Sequence, residues 1–313
     1  MTKNKKTAPY IIAEIGNNHN GSLSLAKKLI SEAKKSGAHC VKFQTFSTTS
    51  LFSKKSFKNN LKLKKDSDKY TLDLNDFIIL KNFADKKNID FTATPFSVKE
   101  VDFLIKTLKV KIIKIASMDI NNYPFIEYIA KSKKKIIIST GFGSEYEIKK
   151  AISILKKNKA KFSILHCVSE YPPQVSKLNL LRIPFFKKTF NVPVGFSDHT
   201  IGVDASLIAL ALGANIIEKH FTLNKEMKGW DHSISANPKE LQIIKDFSKE
   251  INEKLGIERI YRVESKKNTK QFRRSIVANK VINKGKKILF SDLSFKRPAD
   301  GLEPAKWKMI VGK

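Results

Sequence analysis

Cysteine is nearly absent: Cys40 and Cys167 are the only two in 313 residues. That excludes a disulfide framework and a zinc quartet, and it suits a reducing compartment. Long apolar runs are missing too, so no stretch has the length of a membrane span. The lysine-rich start, Met1 to Pro9, is not followed by a signal-peptide core, and a cytoplasmic protein is expected. Arginine is scarce, with six (Arg182, Arg259, Arg262, Arg273, Arg274, Arg297) among 60 basic side chains. Direct readout of bases and phosphates leans on arginine forks, so the formal charge of +31 is not read as a nucleic-acid footprint. The lysines are spread over nearly every helical segment and reflect a compositional bias compatible with an anionic small substrate. No Gly-x-Gly-x-x-Gly turn follows the first apolar run, which counts against a dinucleotide-binding open sheet.

What is present is an alternation of short apolar runs with longer amphipathic stretches, the pattern of parallel strands joined by helices. The runs are Tyr10 to Ile15, Cys40 to Phe46, Ile89 to Ala93, Lys111 to Ile115, Lys135 to Ser139, Phe162 to Cys167, Val192 to Phe196, and Asn215 to Glu218. Helical candidates between and after them include Ser22 to Lys35, Leu74 to Lys87, Glu145 to Lys157, Ile201 to Leu212 and Pro238 to Leu255. Eight such units in about 250 residues predict an α/β fold, a (β/α)8 TIM barrel. The barrel domain is assigned to 1–254, a charged linker to 255–273, and a small β-rich domain of three short strands to 274–313, abbreviated or incomplete at Lys313. The polar stretch Ser47 to Lys69 is long for a loop and is read as a lid or mobile insert.

Barrel enzymes carry their active sites at the C-terminal ends of the strands. Here the residues after the strands are polar in every case: Glu14 and Asn17 to Gly21, then Lys42 and Gln44, then Thr92 to Pro95. Lys114, Ser117 and Asp119 follow the fourth strand, Ser139 to Gly141 the fifth, and His166, Ser169, Glu170 and Tyr171 the sixth. The last two strands deliver Ser197-Asp198-His199 and Glu218-Lys219-His220. Two histidines on neighbouring strand ends can face one metal ion. Lys42 and Lys114, with the hydroxyls of Thr94, Ser117, Ser139 and Ser197, form a cradle for a phosphate and a carboxylate. Glu14, Asp119, Glu218 and Asp231 can hold sugar hydroxyls or move protons. These parts suit an anionic, oxygen-rich substrate meeting a polarised carbonyl.

The ordered series Ile12-Ala13-Glu14-Ile15-Gly16-Asn17-Asn18-His19-Asn20-Gly21, Val41-Lys42-Phe43-Gln44-Thr45, Thr94-Pro95-Phe96, Lys114-Ile115-Ala116-Ser117, Ile138-Ser139-Thr140-Gly141, His166 to Pro172, Gly195 to Thr200 and Ile217 to Phe221 resembles the sialic acid synthase (N-acetylneuraminate synthase) family. The tail from Phe272 to Pro298 resembles that family's antifreeze-like (SAF) domain. The resemblance implies condensation of phosphoenolpyruvate with an N-acetylated amino sugar aldehyde, N-acetylmannosamine or a dideoxy relative, with release of phosphate. It further implies a divalent metal, Mn2+ or Mg2+, on His199 and His220. Lys42, Gln44, Thr94, Lys114, Ser117, Ser139, Ser169 and Ser197 would surround phosphoenolpyruvate, with Ser169 where many relatives have asparagine. Glu14, Tyr171 and Asp231 would contact the sugar, and Asp119, where a glutamate is common, would position the attacking water. Arg297 would reach the partner's barrel in a domain-swapped homodimer. Neither nucleic acid nor a membrane is an expected partner.

The stretch after the eighth run, Gly229-Trp230-Asp231-His232, departs from the Gly-Pro-Asp-His or Gly-Ser-Asp-His common in relatives and leaves the sugar open. Two rival readings remain: a Schiff-base aldolase with Lys114 as nucleophile, and a non-catalytic basic barrel that holds nucleic acid or an acidic glycan.

Overall fold

A computed structural model describes residues 8–58, 60–257 and 259–313. Eight parallel strands form one sheet: β1 (Tyr10–Gly16), β2 (Cys40–Thr45), β3 (Asp90–Pro95), β4 (Ile112–Ile115), β5 (Lys135–Ser139), β6 (Phe162–Cys167), β7 (Val194–Asp198) and β8 (Ile216–His220). Their order is β3-β2-β1-β8-β7-β6-β5-β4, so the first and last strands pair and the sheet curls on itself. At the remaining seam the Thr92 hydroxyl of β3 donates to the Ile112 carbonyl of β4 at 2.6 Å. The nearly closed TIM-type barrel expected from the strand-helix alternation is therefore formed.

Two strands end later than the apolar pattern suggests. β7 runs to Asp198 and β8 to His220, because the cross-strand pairs Ser197 with Glu218 and Asp198 with Lys219 prolong the ladder into polar sequence. Hydropathy stops at the first polar residue, whereas backbone pairing does not depend on side-chain polarity.

Period-two alternation sorts the strand residues into two cores. Ile11, Ala13 and Ile15, with Val41, Phe43 and their counterparts, face the surrounding helices. Ile12, Cys40, Ile112, Ile137, Leu165 and Ile216 plug the lumen instead. Two residues further along the same strands stand Glu14, Lys42, Lys114, Ser139, Cys167 and Glu218. The apolar plug is thus the floor on which a polar layer rests. Gly195 belongs to this lumen for a steric reason: a Cβ there would overlap the Ile216 carbonyl and come within 2.7 Å of Leu165.

The helices wrap the barrel through ordinary amphipathic spacing. In Leu23–Lys35 the buried residues Ala26, Leu29, Ile30 and Ala33 make one face, and Ser22 caps the first turn by accepting from the Leu25 N–H at 3.2 Å. Pro238–Leu255 starts with a capping box between Asn237 and Glu240 and a proline in its first turn. The Ser47 to Lys69 excursion is helical, in the pieces Thr48–Leu51, Lys54–Lys58 and Leu61–Lys69. Thr48 donates to Asp68 at 2.5 Å, and Ser50 to Glu100 at 2.7 Å, tying the excursion down. No helix among the described residues is long and apolar enough to cross a membrane.

The chain divides into a unit Met1–Gly256 and a unit Ile257–Lys313. Within the stretch assigned as a linker, Lys266–Phe272 is a short helix capped by Ser265. The second unit pairs β9 (Ser275–Ala278) with β10 (Leu293–Lys296) in antiparallel fashion. Val281 to Gly285, expected as a third strand, is irregular among the described residues; Val281 is 88% exposed and has no apolar layer to cover it. Phe290 packs edge-on against Trp307, with centroids 5.0 Å apart.

Candidate active site

The ladder places Glu14 of β1 level with Lys42 of β2 on one side and His220 of β8 on the other. From this register grows a buried row of alternating charge. Glu14 Oε2 lies 2.8 Å from Lys42 Nζ, which is 3.6 Å from Glu218 Oε1, which in turn is 3.2 Å from Lys114 Nζ. Lys42 also donates to Thr94 Oγ1 at 3.1 Å, Gln44 donates to Glu14 at 3.3 Å, and Ser197 donates to Glu218 at 3.2 Å. Glu218, one of four acidic candidates in the sequence, is the hub: both lysines and Ser197 converge on its Oε1.

Burial dominates the protonation of this row and its neighbours decide the outcome. Burial raises the Glu14 carboxyl, an effect that Lys42 beside it only partly offsets. Burial also acts to raise Glu218, but Lys114 and Lys42 together outweigh it and hold that group below the usual range. Lys42 is raised because its two carboxylates overcome desolvation, whereas Lys114 is lowered, its burial only partly offset by Glu218. The row thus sets two lysines among two carboxylates, and its lysines are the groups that could meet an anionic ligand.

Beside the lysines, Ser117 Oγ and Ser169 Oγ lie 2.8 Å apart. Gly141 forms the wall of this pocket: any Cβ on it would overlap Ser169 and approach Ser117 and Cys167 to 3.1 and 3.2 Å. Ser139 Oγ is buried without a hydrogen-bond partner among the described residues, as is Glu218 Oε2. Such groups need a ligand or water to satisfy them.

Tyr171 stacks on His199 at 4.1 Å between centroids and meets His220 edge-on at 5.8 Å; the two imidazoles are 5.4 Å apart. His199 Nδ1 is 2.8 Å from the Val168 carbonyl, which leaves Nε2 as the nitrogen that could take a ligand. His220 Nδ1 has no hydrogen-bond partner among the described residues and lies 3.6 Å from Asp231 Oδ2. Burial, with His199 as a lesser influence, holds His220 well below the usual imidazole range, so it is neutral and ready to ligate. No group of three or more His, Cys, Asp or Glu side chains among the described residues is placed to hold a metal ion. His199 and His220 offer two imidazole donors, and an ion held there would have to take its remaining ligands from substrate or water.

Asp119 is half-buried, its Oδ1 accepts from Asn122 at 3.0 Å, and its Oδ2, without a hydrogen-bond partner among the described residues, belongs to a carboxyl raised by burial. Arg297 lies in the second unit, where its guanidinium sits over Phe272 at 5.3 Å. Trp230 meets Tyr70, at the end of the helical excursion, with centroids 5.3 Å apart. The remaining histidines have structural roles: His39 accepts from the Ile11 N–H, His166 faces the Leu178 carbonyl, and His232 bonds Thr222.

His19, behind Asn17 and Asn18, accepts from the Gly21 N–H at 3.1 Å, and burial pushes it down to about 4. An unfolded imidazole takes its proton near pH 6.5, so the stability this histidine contributes is complete above that pH. It is lost as pH falls toward 4, reaching about 3 kcal/mol there. Urea midpoints measured from pH 7 to 4.5 should fall, and the fall should be shallower in His19→Asn.

A TIM-type barrel whose C-terminal rim gathers two lysines, hydroxyl donors and a histidine pair has the layout of a barrel enzyme. The chain belongs to the NeuB family, whose model matches residues 29–259. It is 43% identical to an N,N'-diacetyllegionaminic acid synthase of Campylobacter jejuni, over 99% of this chain and 96% of that one. It is 32% identical to an N-acetylneuraminate-9-phosphate synthase of Drosophila melanogaster, over 97% and 91%. Among solved structures it is similar to the N-acetylneuraminic acid (sialic acid) synthetase of Leptospira borgpetersenii in complex with citrate. That match has a TM-score of 0.77 at 38% identity and covers 86% of this chain and 94% of that one.

Proposed function

We propose that this chain is a nonulosonic acid synthase that condenses phosphoenolpyruvate with an N-acetylated amino sugar aldehyde and releases phosphate. The observation that carries the proposal is the buried row Glu14, Lys42, Glu218, Lys114 beside the His199 and His220 pair. Lys42, Lys114 and the Ser117, Ser139 and Ser169 hydroxyls bind the phosphate and carboxylate of phosphoenolpyruvate and orient its alkene carbon. Glu14, Tyr171 and Asp231 hold the sugar with its aldehyde against the histidines. Mn2+ or Mg2+ on His199 and His220 would supply Lewis-acid polarisation of that aldehyde.

The alkene carbon forms the new bond to the aldehyde carbon, whose oxygen takes a proton. Water adds to the cationic carbon left behind, and Asp119 Oδ2 accepts its proton. The resulting hemiketal phosphate breaks its carbon–oxygen bond, phosphate departs and a 2-keto acid remains. The lysines counter the negative charge throughout.

The relatives named for N,N'-diacetyllegionaminic acid support a diacetamido sugar as acceptor. The test is phosphate release from phosphoenolpyruvate with N-acetylmannosamine and with mono- and diacetamido deoxy sugars, with and without chelator. Chelator-sensitive release with one sugar is expected; folded protein that releases phosphate with none overturns the proposal. The lowered Lys114 also suits an amine nucleophile. Borohydride with a keto acid should leave the protein mass unchanged, and a trapped adduct on Lys114 would replace the condensation with the aldolase.

A further inference from the structure

The most deeply buried ion pair among the described residues of the barrel touches no proposed substrate group. Lys219 Nζ lies 3.1 Å from Asp198 Oδ2, and both side chains are wholly inaccessible to solvent. They are register partners at the ends of β7 and β8, each immediately before one of the two histidines. Alternation turns Ser197 and Glu218 into the lumen and Asp198 and Lys219 to the opposite face.

Each member is bonded beyond its partner. Asp198 accepts from the Thr200 N–H at 2.8 Å, from the Thr200 hydroxyl at 2.7 Å, and from Ser206 at 2.6 Å in the helix Asp204–Ala211. Lys219 donates to the Thr200 carbonyl and contacts the Thr200 hydroxyl at 3.4 Å. The residue preceding His220 is thereby stitched to the residue following His199.

Burying two charges costs several kcal/mol per ion before they attract one another, so such a pair is a poor source of net stability. A positional role accounts for it better. We infer that Asp198 and Lys219, through Thr200, are positioning residues that set the spacing of His199 and His220 for a divalent ion. The inference rests on the reading of those histidines as its ligands. Side chains that orient metal ligands from behind typically change metal affinity by about 10- to 100-fold when replaced.

The test is Mn2+ binding to the full chain, followed by the paramagnetic resonance of the free ion, for the parent, Lys219→Met and Thr200→Val. Lys219→Met is expected to weaken binding by roughly 10- to 100-fold. Thr200→Val keeps the shape but deletes the hydroxyl, and it should weaken binding about three- to tenfold even if Lys219→Met fails to fold. Leu155→Ala, which opens a cavity under the helix Glu145–Lys157, is the structural control: it destabilises the barrel and should leave Mn2+ affinity unchanged. Affinity within about twofold of the parent in Thr200→Val and in any folded Lys219→Met overturns the positioning role, since one lost hydrogen bond already predicts more. A parent that does not bind Mn2+ overturns the metal reading itself, and the positioning role with it.

Discussion

His220→Leu is expected to lower phosphate release about a thousandfold, the roughly 4 kcal/mol of transition-state stabilisation that a lost Lewis-acid site represents. Stability should hold or rise. His220 Nδ1 is buried without a hydrogen-bond partner among the described residues, and burial already holds the ring neutral. Replacing an unsatisfied polar group by an apolar one of similar size removes a desolvation penalty. A structural histidine would behave in the opposite way: the rate would survive and the urea midpoint would fall. Steady-state kinetics and urea unfolding of the same preparation separate the two, and a residual rate above about a tenth of the parent's would exclude a site worth several kcal/mol.

Lys42→Met should cost both stability and function. Lys42 bridges Glu14 at 2.8 Å and Glu218 at 3.6 Å, and all three side chains are almost completely buried. Removing one member of a buried pair leaves uncompensated charge, worth about 3–5 kcal/mol of unfolding free energy. Adding Glu14→Gln removes the carboxyl that most needs Lys42, so the double variant is expected to be more stable than Lys42→Met alone. Phosphoenolpyruvate binding stays lost in both, because the cation that would meet the anion is gone. Urea unfolding measures the first effect and phosphoenolpyruvate titration the second. A double variant no more stable than the single would show that Glu14 is not what Lys42 neutralises.

Much of this site is legible along the chain because a strand side chain's direction repeats every two residues. Ile12 and Glu14, Cys40 and Lys42, and Ile112 and Lys114 each read as an apolar residue followed at the next lumen position by a polar one, which puts floor and site in their correct layers. His199 and His220 are legible for the same reason, each at the end of a run. The hub role of Glu218 is not, because it depends on Lys42 and Lys114, more than a hundred residues away and carried by strands on either side of the barrel. Neither is the neutral state of His220, since one polar residue at a strand end carries no record of its burial.

By itself, then, the chain determined the eight strand-helix units, the end of the barrel where chemistry collects, and the residue types found there. All follow from local periodicity and from the rule that βα-barrel sites form at strand C-termini. Only the tertiary structure decided which charges meet: Glu14 with Lys42, Glu218 with both lysines, Tyr171 over His199, Asp198 with Lys219. Strand pairing and barrel closure set those distances, and electrostatic energy depends on distance and burial that no local pattern encodes.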